Sequence, residues 1–136
     1  MKFNFHVEEG NFIKAGQAAA EIKKILKQLN LNNSLIRRVV ISMYEAEVNV
    51  VAHAKDGDIE VDIQPNGVSI IVKDRGPGIL DVKKAMEEGF STASAKVREM
   101  GFGAGMGLPN IKKNSDILEI DTTPGEGTVL KIVINF

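Results

Sequence analysis

One helical segment, from about Ser34 to Ala54, most constrains what this chain can fold into. When successive residues are placed about 100° apart, its polar residues fall on one narrow stripe and most of its other surface is apolar. A surface helix normally shows the opposite pattern, an apolar stripe on a polar body. We therefore expect a mostly buried helix whose stripe either lines a polar cavity or contacts an adjacent loop. The stripe contains Arg38, Ser42, Glu45, Asn49 and His53.

Two residues of this stripe carry groups suited to chemistry. Glu45 and Asn49 are one helical turn apart, so a carboxylate and a carboxamide project side by side. A carboxylate can take a proton from a hydroxyl or a water, and a carboxamide oxygen is a hard, neutral ligand of the kind that Mg²⁺ prefers. Glu47 does not fit the stripe, because it points towards an apolar side; we expect it at a helix edge or in contact with a partner.

The rest of the chain predicts one domain of the α+β class over residues 1–136. The elements expected in chain order are a strand at 3–7, a helix at 12–29, the helix at 34–54, paired strands at 59–63 and 68–72, helices at 81–88 and 108–114, and strands at 117–121 and 128–136. Asp56-Gly57 and Asn66-Gly67 are turn signals. This order predicts a two-layer sandwich, with a mostly antiparallel mixed sheet and helices on one face.

Composition excludes several classes of protein. Seventeen Lys and Arg balance 18 Asp and Glu, which argues against a generic nucleic-acid binder. The absence of cysteine excludes a disulfide scaffold, a thiolate zinc site and a cysteine nucleophile. No apolar run is long enough to span a membrane, and the first residues do not resemble a signal peptide. A cytoplasmic protein is therefore expected.

Three glycine clusters follow the predicted hairpin. Asp74-Arg75-Gly76-Pro77-Gly78 comes directly after a strand, where an aspartate can accept from an exocyclic amine such as that of adenine. Glycines alternate from Gly101 to Gly107 just before a helix, and backbone N–H groups of such a loop favour phosphate binding. The third cluster, Gly125-Glu126-Gly127-Thr128, precedes the last strand. Taken singly, the first cluster is more typical of a plain turn and the third of a hairpin turn, and the second is equally compatible with a flexible linker. None matches the Walker or dinucleotide-binding pattern.

The order of these motifs resembles the four nucleotide-binding boxes of the GHKL ATPase superfamily, which includes gyrase, Hsp90, histidine-kinase and MutL ATP-binding domains. The shared order is Glu-x-x-x-Asn on a helix, Asp-x-Gly-x-Gly after a hairpin, a glycine-rich loop before a helix, and Gly-x-Gly-Thr before the last strand. The small size and the run from Glu45 to Asn49 look like the bacterial anti-sigma factor and serine-protein-kinase group. The run from Gly103 to Ile111 looks most like its switch-kinase branch. The resemblance implies the Bergerat ATP-binding fold.

The resemblance also implies ATP and Mg²⁺ as cofactors, and roles for the matched residues. Glu45 would be the general base for an incoming serine hydroxyl, Asn49 would coordinate Mg²⁺, and Asp74 would accept from the adenine amine. The stretch from about residue 89 to 107 would be the lid over ATP. The further residues implied in nucleotide binding are Gly76 and Gly78 at the adenine, Gly103, Gly105, Gly107 and Leu108 at the phosphates, Thr128 near the adenine, and His53. For His53, a purely structural hydrogen bond is an equally good interpretation.

Two functions follow from this resemblance. The first is an ATP-dependent serine-protein kinase that phosphorylates a small STAS-domain antagonist protein and controls a partner such as a sigma factor. The second is a nucleotide-gated anti-sigma or partner-binding module with little turnover. Glu45 favours catalysis, since binding alone needs no base. Neither function implies direct contact with nucleic acid or a membrane, and a homodimer is compatible with both.

Overall fold

The computed structural model describes residues 1–79, 81–87 and 107–136. The strands are β1 (Lys2–Glu8), β2 (Asp56–Gln64), β3 (Gly67–Arg75), β4 (Ile117–Thr123) and β5 (Gly127–Asn135). The helices within the described residues are α1 (Gln17–Gln28), α2 (Asn33–His53), α3 (Val82–Ala85) and α4 (Gly107–Asn114). The predicted α+β class is confirmed.

The five strands of the described residues form one sheet in the order β1-β2-β3-β5-β4, and every neighbouring pair is antiparallel. The predicted antiparallel sheet is therefore confirmed, while no parallel pair occurs among the described strands to make it mixed. The β2–β3 hairpin closes at Gln64 and Gly67, as the Asn66-Gly67 signal predicts. This arrangement places the end of β3 beside the start of β5, so that Asp74 pairs with Thr128.

Alternate residues of the strands pack against α1, α2 and α4 and form one apolar core. Helix α2 contributes side chains from several sides, which confirms that it is mostly buried. Its fully buried apolar residues include Val39, Met43, Ala46 and Val50. Because apolar burial is the main favourable term in folding, α2 occupies a fixed position from which its polar residues reach the site.

Several boundaries differ from those predicted. Helix α1 begins at Gln17, not Phe12, and the N-cap of α2 is Asn32, whose side chain accepts the Ser34 N–H at 2.7 Å. Asp56-Gly57 is not a turn but the start of β2. Gly57 is needed there for close packing, because a Cβ would lie 3.0 Å from Val50 Cγ1.

The segment after β3 is only partly described. Helix α3 is shorter than the predicted helix at 81–88. The predicted lid at 89–107 lies outside the described residues except for Gly107. Across the ranges that the structure describes, we find no helix with the length and apolar character needed to span a membrane.

Candidate functional site

The polar stripe of α2 lies along α4 and the residues that follow it. Asn110 Nδ2 donates to Glu45 Oε1 at 3.2 Å, and Arg38 Nε donates to the Asn114 carbonyl at 3.2 Å. Arg38 also pairs with Asp116 at 3.1 Å. Of the two predicted arrangements for the stripe, contact with an adjacent element is therefore observed, and the element is a helix.

Asn49 lies where α4 begins. A Cβ added to Gly107 would stand 3.0 Å from Asn49 Oδ1 and 3.2 Å from Nδ2. Glycine therefore lets the first turn of α4 approach the Asn49 carboxamide closely. The N-terminus of a helix presents N–H groups that favour anions, so Asn49 stands beside a position suited to phosphate.

Ser42 is the remaining stripe residue between Arg38 and Glu45. Its side chain is fully buried, and its hydroxyl has no hydrogen-bond partner in the described parts of the chain. Burying a hydroxyl without a hydrogen-bond partner lowers the stability of the fold. The sequence placed Ser42 on the stripe correctly but did not predict that this part of the stripe would be closed off from solvent.

Asp74 lies at the end of β3, inside the strand and not just after it. Its Oδ1 accepts the Thr128 N–H at 3.1 Å. Burial raises the pKa of Asp74, and the Thr128 N–H partly opposes that effect. The Thr128 hydroxyl is 2.9 Å from the Thr122 hydroxyl, which accepts the Ile79 N–H at 2.8 Å. Two of the predicted boxes, around Asp74 and Thr128, are thus joined by hydrogen bonds.

Gly127 makes this junction possible. Its φ is +148°, and a Cβ would overlap the carbonyl oxygen of Asp74, so no other residue fits without moving the backbone. Gly78 lies against Thr123 and Pro124 of the β4–β5 hairpin. The Asp74 cluster therefore packs against the last hairpin and is more than an isolated turn.

The other predicted site residues are distributed around these contacts. His53 is the last residue of α2 and is half-buried; its burial lowers the pKa of the imidazole. Gly76 packs against the residue that follows α2, since a Cβ there would lie 3.0 Å from Ala54 Cα. Leu108 is buried in the core. Gly103 and Gly105 lie outside the described residues.

Glu47 has a structural function that the sequence analysis missed. It is 3% exposed and accepts three backbone N–H groups at the start of α1, from Gly16 at 3.0 Å, Ala18 at 3.2 Å and Ala19 at 3.1 Å. Burial raises the pKa of its carboxyl, and these three donors oppose that effect. Two signals point to this contact: an acid on an apolar helix face needs donors, and α1 begins without a side-chain cap of its own.

Comparison with known proteins places the chain in a family. Residues 13–134 match the family described as histidine kinase-like ATPase domain. The chain belongs to this family. The resemblance to GHKL ATPases is thereby confirmed.

The chain is also similar to individual proteins. It is 31% identical over 115 residues to the serine/threonine-protein kinase RsbT of Bacillus subtilis (strain 168), covering 82% of this chain and 80% of RsbT. It is 30% identical over 141 residues to an anti-sigma F factor of Caldanaerobacter subterraneus subsp. tengcongensis, covering 97% and 94%. The solved mycobacterial sensor histidine kinase MprB has the same fold, with a TM-score of 0.57, 15% identity and coverage of 99% and 97%.

Proposed function

We propose that this protein is an ATP-dependent serine-protein kinase that phosphorylates a small STAS-domain antagonist protein and so controls a partner such as a sigma factor. The observation that carries the proposal is the position of Glu45. Its half-buried carboxylate faces α4, one turn of α2 before Asn49, which adjoins the first residue of α4. A base, a Mg²⁺ ligand and a phosphate-binding helix end are the groups that phosphoryl transfer requires. Similarity to RsbT supports the same function.

The described residues fit ATP and Mg²⁺. The close approach of Gly107 leaves the Asn49 carboxamide beside the N-terminus of α4. There Asn49 would hold Mg²⁺. The first turn of α4 would hold phosphate through the backbone N–H of Leu108. The ion would neutralise charge on the transferring phosphoryl group. Glu45 would take the proton of the incoming serine hydroxyl.

The adenine would lie at the other end of the site. Asp74 would accept from its exocyclic amine, and that donor would offset the cost of burying the carboxylate, which already raises the pKa of Asp74. Gly76 and Gly78 would form the wall of the pocket, and Thr128 would lie near the base. His53, Gly103 and Gly105 remain proposed contacts to the nucleotide.

A partner-binding switch with little turnover is the second candidate. The observation that favours it is similarity to the anti-sigma F factor over 97% of this chain. In that case the same pocket would hold ATP, and binding of the nucleotide would govern binding of the partner. Phosphoryl transfer to a protein distinguishes the two candidates.

The direct test mixes the purified protein with γ-labelled ATP, Mg²⁺ and an extract of its host. We expect label on one small protein, which mass spectrometry then identifies; a serine-to-alanine variant of that protein should take no label. ATP binding is measured separately by calorimetry. Binding without transfer to any protein would reject the kinase and favour the switch, and absence of both would reject both functions.

We also propose that the protein forms a homodimer through β1, an edge strand of the described sheet. Met1 and Ile63 exchange backbone hydrogen bonds across β1 and β2. In an antiparallel ladder such pairs alternate, so the backbone groups of the even-numbered residues of β1 point away from β2. Two copies paired about Phe5 would set Lys2 opposite Glu8, and opposite charges across strands are favourable.

A charge swap tests this dimer. Lys2→Glu should weaken association by placing like charges opposite each other, and Lys2→Glu combined with Glu8→Lys should restore it. Both residues are exposed, but they also lie opposite Asp62 and Asp56 of β2, so urea unfolding checks that each variant is folded. Sedimentation equilibrium measures the result. A wild-type protein that stays monomeric at high micromolar concentration, or a double variant no better than Lys2→Glu, would reject this interface.

A further inference from the structure

Asn110 is the residue of α4 that contacts the proposed base. Its side-chain amide donates to Glu45 Oε1 at 3.2 Å, and the contact joins residues 65 positions apart in the chain. We infer that Asn110 is a positioning residue, which orients the Glu45 carboxylate for proton transfer. This inference rests on the proposed kinase function, in which Glu45 is the base.

The chemistry of an amide suits this position. A carboxylate has two oxygens, and the amide of Asn110 occupies one. Within the described residues Oε2 accepts no hydrogen bond, which leaves it available for the proton of a serine hydroxyl. An amide is neutral and cannot be deprotonated at ordinary pH. Lysine or arginine here would form an ion pair, which favours the ionised carboxylate and weakens it as a base. Asn110 therefore fixes the side chain without neutralising it.

Asn110 is itself held in place on both sides. Its neighbours Pro109 and Ile111 are buried, and its carbonyl accepts Asn114 Nδ2 at 2.8 Å. The Asn114 carbonyl in turn accepts Arg38 Nε at 3.2 Å. A donor anchored in this way limits the rotamers open to Glu45, and orientation of a reacting group is a recognised source of rate.

The end of α4 is tied to the sheet as well. Arg38 pairs with Asp116 at 3.1 Å, and Asp116 Oδ2 accepts the Asn135 N–H at 2.7 Å. Helix α4 therefore contacts α2 near Asn49, Glu45 and Arg38. Two residues after the helix ends, the chain is fixed to β5. The position of Asn110 relative to Glu45 follows from these contacts.

A double-mutant cycle tests whether Asn110 acts through Glu45. We expect Asn110→Ala to lower kcat for phosphoryl transfer roughly tenfold, with the ATP dissociation constant and the KM for the protein substrate within about twofold of wild type. In the Glu45→Gln background, Asn110→Ala should cause almost no further loss. Residues that act as a unit show this non-additivity, whereas independent effects multiply.

Two variants keep the test specific. Lys112→Ala, at an exposed position of α4, should leave kcat unchanged. Asn110→Gln, which keeps the amide, should recover part of the kcat lost in Asn110→Ala. Circular dichroism and urea unfolding confirm that each variant is folded; if Asn110→Ala is not, Asn110→Ser, which keeps a donor on a shorter side chain, takes its place in the cycle.

The outcomes separate the inference from the proposed function. Absence of transfer by wild-type protein that binds ATP would reject the kinase and, with it, the positioning of a base. Transfer by the wild type with losses that multiply in the cycle would overturn the inference alone. NMR spectroscopy tests the hydrogen bond independently of activity. The side-chain amide resonances of Asn110 should shift in the Glu45→Gln variant, and unchanged resonances would also count against the inference.

Discussion

Glu45 and Glu47 are two residues apart on α2, yet their surroundings differ completely. The carboxylate of Glu47 is buried and accepts three backbone N–H groups from the start of α1. The carboxylate of Glu45 is half-buried and, among the residues that the structure describes, accepts one side-chain amide, from Asn110. A step of two residues turns a helix by about 200°, so the two acids face opposite directions.

The number of donors decides what each carboxylate can do. Both oxygens of Glu47 are used by N–H groups that otherwise lack an acceptor, so the residue stabilises the join between α1 and α2. Glu45 keeps an oxygen for a reacting group. An acid in the middle of a buried helix can therefore serve folding or chemistry, and the donors around it distinguish the two.

The largest expected effect comes from Glu45→Gln compared with Glu47→Gln. Glu45→Gln keeps the acceptor for Asn110 but removes the base, so transfer should fall by roughly 10²–10⁴ while stability hardly changes. Glu47→Gln should lower stability and leave transfer by the folded protein within a few-fold. Single-turnover transfer and urea unfolding measure both. Equal losses of transfer in the two folded variants would contradict the contrast.

Asp74→Asn extends the comparison to a third acid, one oxygen of which accepts a hydrogen bond from the Thr128 N–H. The variant can keep that bond but presents an NH₂ group to the adenine amine, so ATP binding should weaken by on the order of 1.5–3 kcal/mol. Calorimetric titration measures this loss, and exposed Asp121→Asn is the control. An unchanged dissociation constant would remove Asp74 from the adenine site.

Glu47→Ala should lower the free energy of unfolding by roughly 1–3 kcal/mol, because buried N–H groups at the start of α1 lose their acceptor. The matched control is Glu21→Ala, which removes an exposed acid from α1. Urea unfolding followed by circular dichroism gives both values. Similar stability of the two variants would show that the three hydrogen bonds contribute little.

The smallest expected effect concerns pH. The Asn135 N–H and Arg38 lower the pKa of Asp116. The folded-state pKa lies below the unfolded one, so this contribution is present above the unfolded pKa and is lost as pH falls through the folded pKa. Asp116→Asn should therefore make stability less sensitive to acid. Urea unfolding at several pH values measures it, and parallel curves for the two proteins would contradict it.

The sequence predicted those features that depend on local patterns. The polar stripe identified α2 as a buried helix, and Asn66-Gly67 identified the β2–β3 turn, because periodicity and turn chemistry are properties of neighbouring residues. The predicted start of α1 was wrong because the carboxylate that accepts its first N–H groups belongs to Glu47, about 30 positions away. Gly57 was misread as part of a turn, since its need for glycine comes from contact with Val50 on α2.

In the candidate site, too, local patterns did not predict the contacts between residues far apart in the chain. The stripe placed Glu45 beside Asn49, but it could not show that Asn110 contacts Glu45 or that Gly107 adjoins Asn49. Both contacts depend on how α4 packs after a long intervening segment. The Asp74 and Thr128 clusters likewise came together through sheet pairing, which no local pattern determines. Their roles toward ATP stay predictions.

The capping of α1 by Glu47 has a consequence for synthesis of the chain. The donors at Gly16, Ala18 and Ala19 leave the ribosome about 30 residues before their acceptor does. Until α2 has emerged and docked, the first turn of α1 depends on water for these hydrogen bonds. Short helices are marginal when isolated, so we expect α1 to become stable only once α2 packs against it.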